Sequence, residues 1–221
     1  SNLAAFYAGK DGRAKVKMTI VDSSGNNRKR SFYILRRDHK QGGDQDYLVY
    51  FTRPASVRKT TFLVLKHTKK DDDRWLYLPA LDLVKRIAAG DKRTSFVGSH
   101  FFYEDVSGRN TTEDNFSLLK TTAKHYVIKG QPKKKGSVEF KSYTVWIDKQ
   151  NYLPFKIEYI NQSGKLYRRI EALKTSTIDG HPTITKMKVK DLIQGGHTIS
   201  NFTRVQYDVG IPESIFSETS L

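Results

Sequence analysis

The residues best suited to hold a metal or move a proton are the histidines, and their spacing supports neither role. His39, His67, His100, His125, His181 and His197 never stand two or four apart, the separations that put two side chains on one face of a strand or helix. The chain has no cysteine, so thiolate ligands, disulfides and cysteine nucleophiles are unavailable to it. Asp71-Asp72-Asp73 lacks the alternating oxygen donors and trailing glutamate of a calcium loop and reads as a solvated, charged turn. Glu104 and Asp105 are adjacent, so on a helix they diverge instead of converging on one reacting atom; they read as helix-surface or rim carboxylates. No Gly-x-Ser-x-Gly elbow, glycine-rich phosphate loop or His-Glu-x-x-His pair occurs. The sequence therefore reads as a binding protein, with no catalytic residues, no metal and no cofactor.

Aromatic and aliphatic side chains carry a clearer signal. Arg74-Trp75-Leu76-Tyr77-Leu78 turns at Pro79-Ala80 and returns as Leu83-Val84-Lys85-Arg86-Ile87. Alternation puts Trp75 and Tyr77 on one face of the first strand and Leu76 and Leu78 on the other, so both faces are apolar and something must cover the second. The cover is sought in residues 95–107, Ser-Phe-Val-Gly-Ser-His-Phe-Phe-Tyr-Glu-Asp-Val-Ser, with Ser99 capping a short helix over Phe102 and Val106. The segment reads as a lid standing apart from the main sheet. The candidate cavity or lid residues are Trp75, Tyr77, Leu78, Leu81, Phe96, Val97, Phe101, Phe102 and Tyr103, with Leu76 an equal alternative to Tyr77. Arg86 and Arg93 flank the lid as a candidate latch or headgroup contact. Two readings of the cluster stay open: a ligand cavity, or packed core under a closed barrel.

Lys and Arg number 39 against 23 Asp and Glu, a net charge of +16. Such a balance favours contact with an anionic partner. The basic clusters Arg28-Lys29-Arg30, Arg36-Arg37 and Lys133-Lys134-Lys135 invite comparison with a single-strand nucleic-acid groove, which interleaves cations with stacking platforms. Here the aromatics sit among leucines and valines, so a solvated exterior or phospholipid-headgroup contact ranks above nucleic acid, and no nucleic-acid partner is expected.

The elements that would position these residues are mostly strands. Ala14, Val16, Met18 and Ile20 alternate with Arg13, Lys15, Lys17 and Thr19, a period of two with one buried face. Turn signals at Asp22-Ser23-Ser24-Gly25-Asn26-Asn27, Gln41-Gly42-Gly43-Asp44, Lys149-Gln150-Asn151, Ser163-Gly164, Asp179-Gly180 and Gly195-Gly196 divide the rest into short strands. Within residues 1–10, residues 3–8, Leu-Ala-Ala-Phe-Tyr-Ala, read as the tail of a helix stopped by Gly9, and Phe116 to Lys120 is too short to assign. No run of roughly 18 apolar residues, the length of a membrane-spanning helix, occurs. No composition shift divides residues 1–221, so one mainly-β domain is expected, and an antiparallel sheet this large must curl.

Several of these residues also carry a resemblance. Trp75 to Leu81, Val84-Lys85-Arg86-Ile87, Ser95-Phe96-Val97-Gly98-Ser99 and Phe101 to Asp105 follow one another as in the bacterial outer-membrane lipoprotein-sorting family, relatives of LolA. The likeness continues in Trp146-Ile147-Asp148, Leu153-Pro154, Gly164-Lys165-Leu166 and Gly210 to Ser217, and so spans most of the chain. It is nearer the broad sorting-protein branch than LolA proper. The resemblance implies a half-open antiparallel β-barrel of about eleven strands around an apolar cavity, closed by short helices. It implies an exported precursor, with the signal removed ahead of Ser1-Asn2, and a periplasmic, non-catalytic carrier or chaperone for the acyl chains of lipoproteins or lipids. Its partners would be an inner-membrane transporter and an outer-membrane acceptor; the alternative is a periplasmic accessory protein of a lipid-exporting transporter.

Overall fold

The computed structural model describes residues 8–40 and 43–221. The expected N-terminal helix tail, apart from Ala8, and half of the Gln41-Gly42-Gly43-Asp44 turn lie outside them. The chain forms strands β1 (Asp11–Val21), β2 (Asn27–Asp38), β3 (Gln45–Arg53), β4 (Thr61–Lys66), β5 (Asp73–Leu78) and β6 (Leu83–Arg86), then a non-strand segment holding the helix α1 (Tyr103–Ser107). It resumes with β7 (Asp114–Thr121), β8 (His125–Pro132), β9 (Phe140–Asp148), β10 (Pro154–Asn161), β11 (Leu166–Ile178), β12 (His181–Asp191) and β13 (His197–Tyr207).

All thirteen strands belong to one antiparallel sheet ordered β6-β5-β4-β3-β2-β1-β13-β12-β11-β10-β9-β8-β7. Every neighbouring pair but one is joined by a hairpin connection, as short turns require. The exception is β1 with β13, whose ladder runs from Gly12 opposite Tyr207 to Val21 opposite His197 and joins the two halves at the centre. β6 and β7 are the free edges, so the sheet is mainly β, curled and unclosed: a half-open barrel.

Alternation decides what points inward. Ala14, Val16, Met18 and Ile20 of β1, Phe32 and Ile34 of β2, and Tyr47, Val49 and Phe51 of β3 are buried in one cluster, continued by Ile157, Ile170, Met187, Val189 and Phe202 across the seam. Lys15 and Lys17 lie on the opposite, solvated face, as a period of two demands. The sheet exceeds the expected eleven strands partly through β7, which the sequence hid. From Asn115 to Thr121 every residue of β7 is exposed, so no apolar alternation was needed to form it.

Candidate functional site

Residues 87–113 connect the two free edges and fold into the concave side of the sheet. Their course is set first by a tight reversal. Phe96 N–H donates to Phe101 C=O at 2.8 Å, and Val97 (φ 49°) and Gly98 (φ 72°) between them are both left-handed. Glycine adopts that region freely; a β-branched valine does so under strain. The reversal turns Phe96 and Phe101 into the core, where both are fully buried. Phe96 meets Phe62 at 5.4 Å between ring centroids, Phe51 at 5.8 Å and Tyr103 at 5.8 Å. Each such phenylalanine contributes about 1.5–3 kcal/mol by burial. The expectation of a lid standing apart from the sheet therefore gives way to a plug: Phe96, Phe101 and Val106 belong to the same cluster as the strands.

Ser99 acts in the reversal and not as a helix cap. Its hydroxyl donates to Phe96 C=O at 2.7 Å and accepts from Phe101 N–H at 3.1 Å. Helix α1 is capped by Asp105, whose Oδ2 accepts the Phe102 N–H at 2.7 Å. His100 ties the reversal to the seam: its N–H donates to Thr198 Oγ1 at 3.0 Å.

The acidic pair on α1 is not at a rim. Glu104 is 2% exposed and Asp105 5%; Asp105 anchors the plug directly to the second half of the sheet, and Glu104 gathers the plug's own cations, two of which reach on to it. Glu104 meets Arg93 at 2.7 Å, Lys92 at 3.3 Å and Arg109 at 3.3 Å. Burial alone would raise its carboxyl, but Arg93, Lys92 and Arg109 outweigh it and bring it from 4.5 down to about 2. Asp105 pairs with Arg168 of β11, whose guanidinium also lies 4.1 Å from the Phe102 ring centroid. Arg93 reaches on to Glu139 at 2.7 Å, and Arg109 to Asp114 at 2.9 Å, which accepts the Tyr143 hydroxyl at 2.8 Å. Burial opposes the Arg93 charge, yet its hydrogen bonds to Glu139 and its pairing with Glu104 raise it well above the ordinary arginine value. Lys66 of β4 donates to Gly108 C=O at 2.6 Å and holds the far end of α1. The sequence reading placed Glu104 and Asp105 at a helix surface or rim and did not single out Arg109, Arg168 or Glu139, because Arg168 and Glu139 lie far along the chain from Asp105 and Arg93, which they meet. The charges among aromatics were the available signal.

The other predicted residues fall in distinct places. Leu76 faces the core and Leu78 packs against it, while Trp75 and Tyr77 stand on the opposite face, Tyr77 donating to Asp82 at 3.1 Å. Leu81 is exposed, and Val97 and Tyr103 pack against the core margin. Phe102 lies under Arg93 and Arg168. Of the two candidate latch arginines, Arg93 lies in the plug's ion network; Arg86 is exposed and pairs with Asp73 at 2.6 Å. Nor is the Asp71-Asp72-Asp73 turn simply solvated. Asp72 pairs with the buried Arg74 at 2.6 Å, and Asp73 accepts from His67 at 2.9 Å in one tautomer.

Because the plug fills the half of the concavity under β1–β5, open space remains on the other side. A cavity of about 390 Å³ lies between α1 and the strands β9 and β10. Tyr143, Val145, Ile147, Ile157 and Tyr159 form its apolar wall, and Arg93, Glu104 and Arg109 its charged floor. Tyr152 and Phe116 stand at its margin, both exposed. The arrangement can bury an apolar chain against a floor of charges that pair with one another.

The result is an open, curled sheet with a folded plug in its concave side. A family model described only as "Uncharacterized protein" matches residues 43–221. A DUF1329 family protein from Desulfovibrio piger is 28% identical, with 97% of this chain and 92% of that one covered at a TM-score of 0.90. A putative outer membrane lipoprotein-sorting protein domain from Vibrio parahaemolyticus is 27% identical, with 98% and 93% covered at 0.89. The LolA superfamily protein NE2245 from Nitrosomonas europaea, 19% identical with 98% and 94% covered at 0.75, shares the fold. No curated protein matches. The chain belongs to the family whose model matches residues 43–221, and its fold is LolA-like.

Proposed function

We propose that this protein is a non-catalytic periplasmic carrier that takes the acyl chain of a lipoprotein or lipid into the cavity between α1 and β9–β10. The observation that carries the reading is the cavity itself, at 390 Å³ within the roughly 300–1,000 Å³ range of small-molecule sites. An aliphatic chain entering it would gain about 0.8 kcal/mol for each buried CH₂. The apolar wall accepts the methylenes, and Arg93 and Arg109 give the polar end a charged boundary. The plug has a second role in this reading: without it the inner face of β1–β5 would be an exposed apolar patch, prone to association.

Displacement of a fluorescent fatty-acid probe tests the proposal. Wild-type protein should bind the probe, and Ile157→Trp, which fills the cavity from its wall, should weaken binding about tenfold or more. Native mass spectrometry after exposure to phospholipid should show acyl-chain adducts on the wild type only. Equal probe affinity in both proteins, or a wild type that stays free of ligand, would remove the carrier reading.

A further inference from the structure

The two free edges of the sheet differ. β6 is four residues long and contains Lys85 and Arg86, shortness and charge being what keep an unpaired edge from recruiting another strand. β7 has little of either protection. It runs eight residues, pairs among the described strands with β8 alone, and leaves Phe116 47%, Leu118 62% and Leu119 54% exposed. Its outer side presents a row of backbone N–H and C=O groups with no strand against them, each a full hydrogen-bonding valence. Phe116 and Leu118, two apart, project to one face beside that row.

Charge indicates which kind of strand fits there. Lys120, Lys124, Lys129, Lys133, Lys134 and Lys135 belong to β7, β8 and the turns that follow each of them. The acidic residues of the same stretch are already engaged, Glu113 with Lys92 and Arg109, and Asp114 with Arg109. A second copy of this chain laid along β7 would bring the same lysines together, and like charges across a strand pair are destabilising. We propose that the outer edge of β7 takes an extended, acidic segment of a partner protein by strand addition. Backbone hydrogen bonds supply the affinity, and alternate apolar side chains seat beside Phe116 and Leu118. The docked segment would border the cavity at Phe116, but its binding does not depend on what the cavity holds.

A short peptide alternating valine and glutamate serves as the probe, with hydrogen–deuterium exchange of the full chain as the readout. Binding should slow amide exchange within residues 114–121. A valine–lysine peptide should not bind, and Leu118→Glu should weaken the valine–glutamate peptide about tenfold or more while its thermal midpoint and fatty-acid probe affinity match the wild type. Protection elsewhere than 114–121, equal binding of the lysine peptide, or dimerisation through β7 without any peptide would each overturn the proposal. So would a glutamate peptide that leaves exchange unchanged at roughly millimolar concentration.

Discussion

Glu104→Gln separates the plug's electrostatics from its packing, since the amide keeps the shape of the carboxylate and removes its charge. In the native protein the carboxyl stands at about 2 against an ordinary 4.5. At 1.36 kcal/mol per unit that difference is on the order of 3 kcal/mol of stability. The folded value is depressed, so the contribution is fully present above pH 4.5 and is lost as pH falls toward 2. In the variant Lys92, Arg93 and Arg109 remain close together with one carboxylate fewer, and removing one partner of a buried ion pair costs about 3–5 kcal/mol. For a chain of this size 3 kcal/mol lowers the thermal midpoint by about 6–12 °C. Urea denaturation of both proteins from neutral pH down to about pH 2 is the assay. The gap between them should be widest at neutral pH and close through the window from 4.5 to 2. A variant within about 1 kcal/mol of the wild type at neutral pH, or a gap that does not change with pH, would refute the claim that Glu104 is held charged by its three cations.

Two further changes test packing. Phe101→Ala should lower stability by about 3–5 kcal/mol, because the ring is 1% exposed within the main cluster; a denaturant midpoint near wild type would show that the plug is loosely held. Gly130→Ala should cost about 1–3 kcal/mol, since a Cβ there would stand 2.3 Å from Tyr143 Cζ and push the ring away from Asp114. A smaller cost of Gly130→Ala in a Tyr143→Ala background than in the wild type would confirm that the clash is with this ring.

The halves of the problem were unequally legible. β1 could be read residue by residue because Ala14, Val16, Met18 and Ile20 obey a period of two set by one buried face. β7 could not, because its exposed residues face no core and so keep no pattern. The strand apolar on both sides left open which face looks inward; in the fold Leu76 shares the core with Phe96 and Phe101, and Trp75 and Tyr77 take the other face. The depth of the cover was not legible, since nothing local distinguishes a lid from a plug. Glu104 and Asp105 were read as helix-surface or rim residues because neighbours on a helix diverge. Asp105's partner Arg168 lies 63 positions away, and Glu139, which shares Arg93 with Glu104, lies 46 positions from that arginine; only the fold brings them near.

The central seam has a mechanical consequence. The ladder between β1 and β13 starts at Gly12 opposite Tyr207, so the segments preceding β1 and following β13 leave the sheet side by side. Tension applied through those segments would peel the ladder open from that end, breaking its hydrogen bonds one after another instead of shearing them together. The sheet would thus part first at its middle, with both outer edges still folded. Past that point the halves would hang on the plug, through His100 against Thr198, Arg168 against Asp105 and Lys66 against Gly108. Pulling on single molecules should show a low-force opening at the seam followed by a second, stiffer event, and that second event should weaken when Asp105 is replaced by Asn.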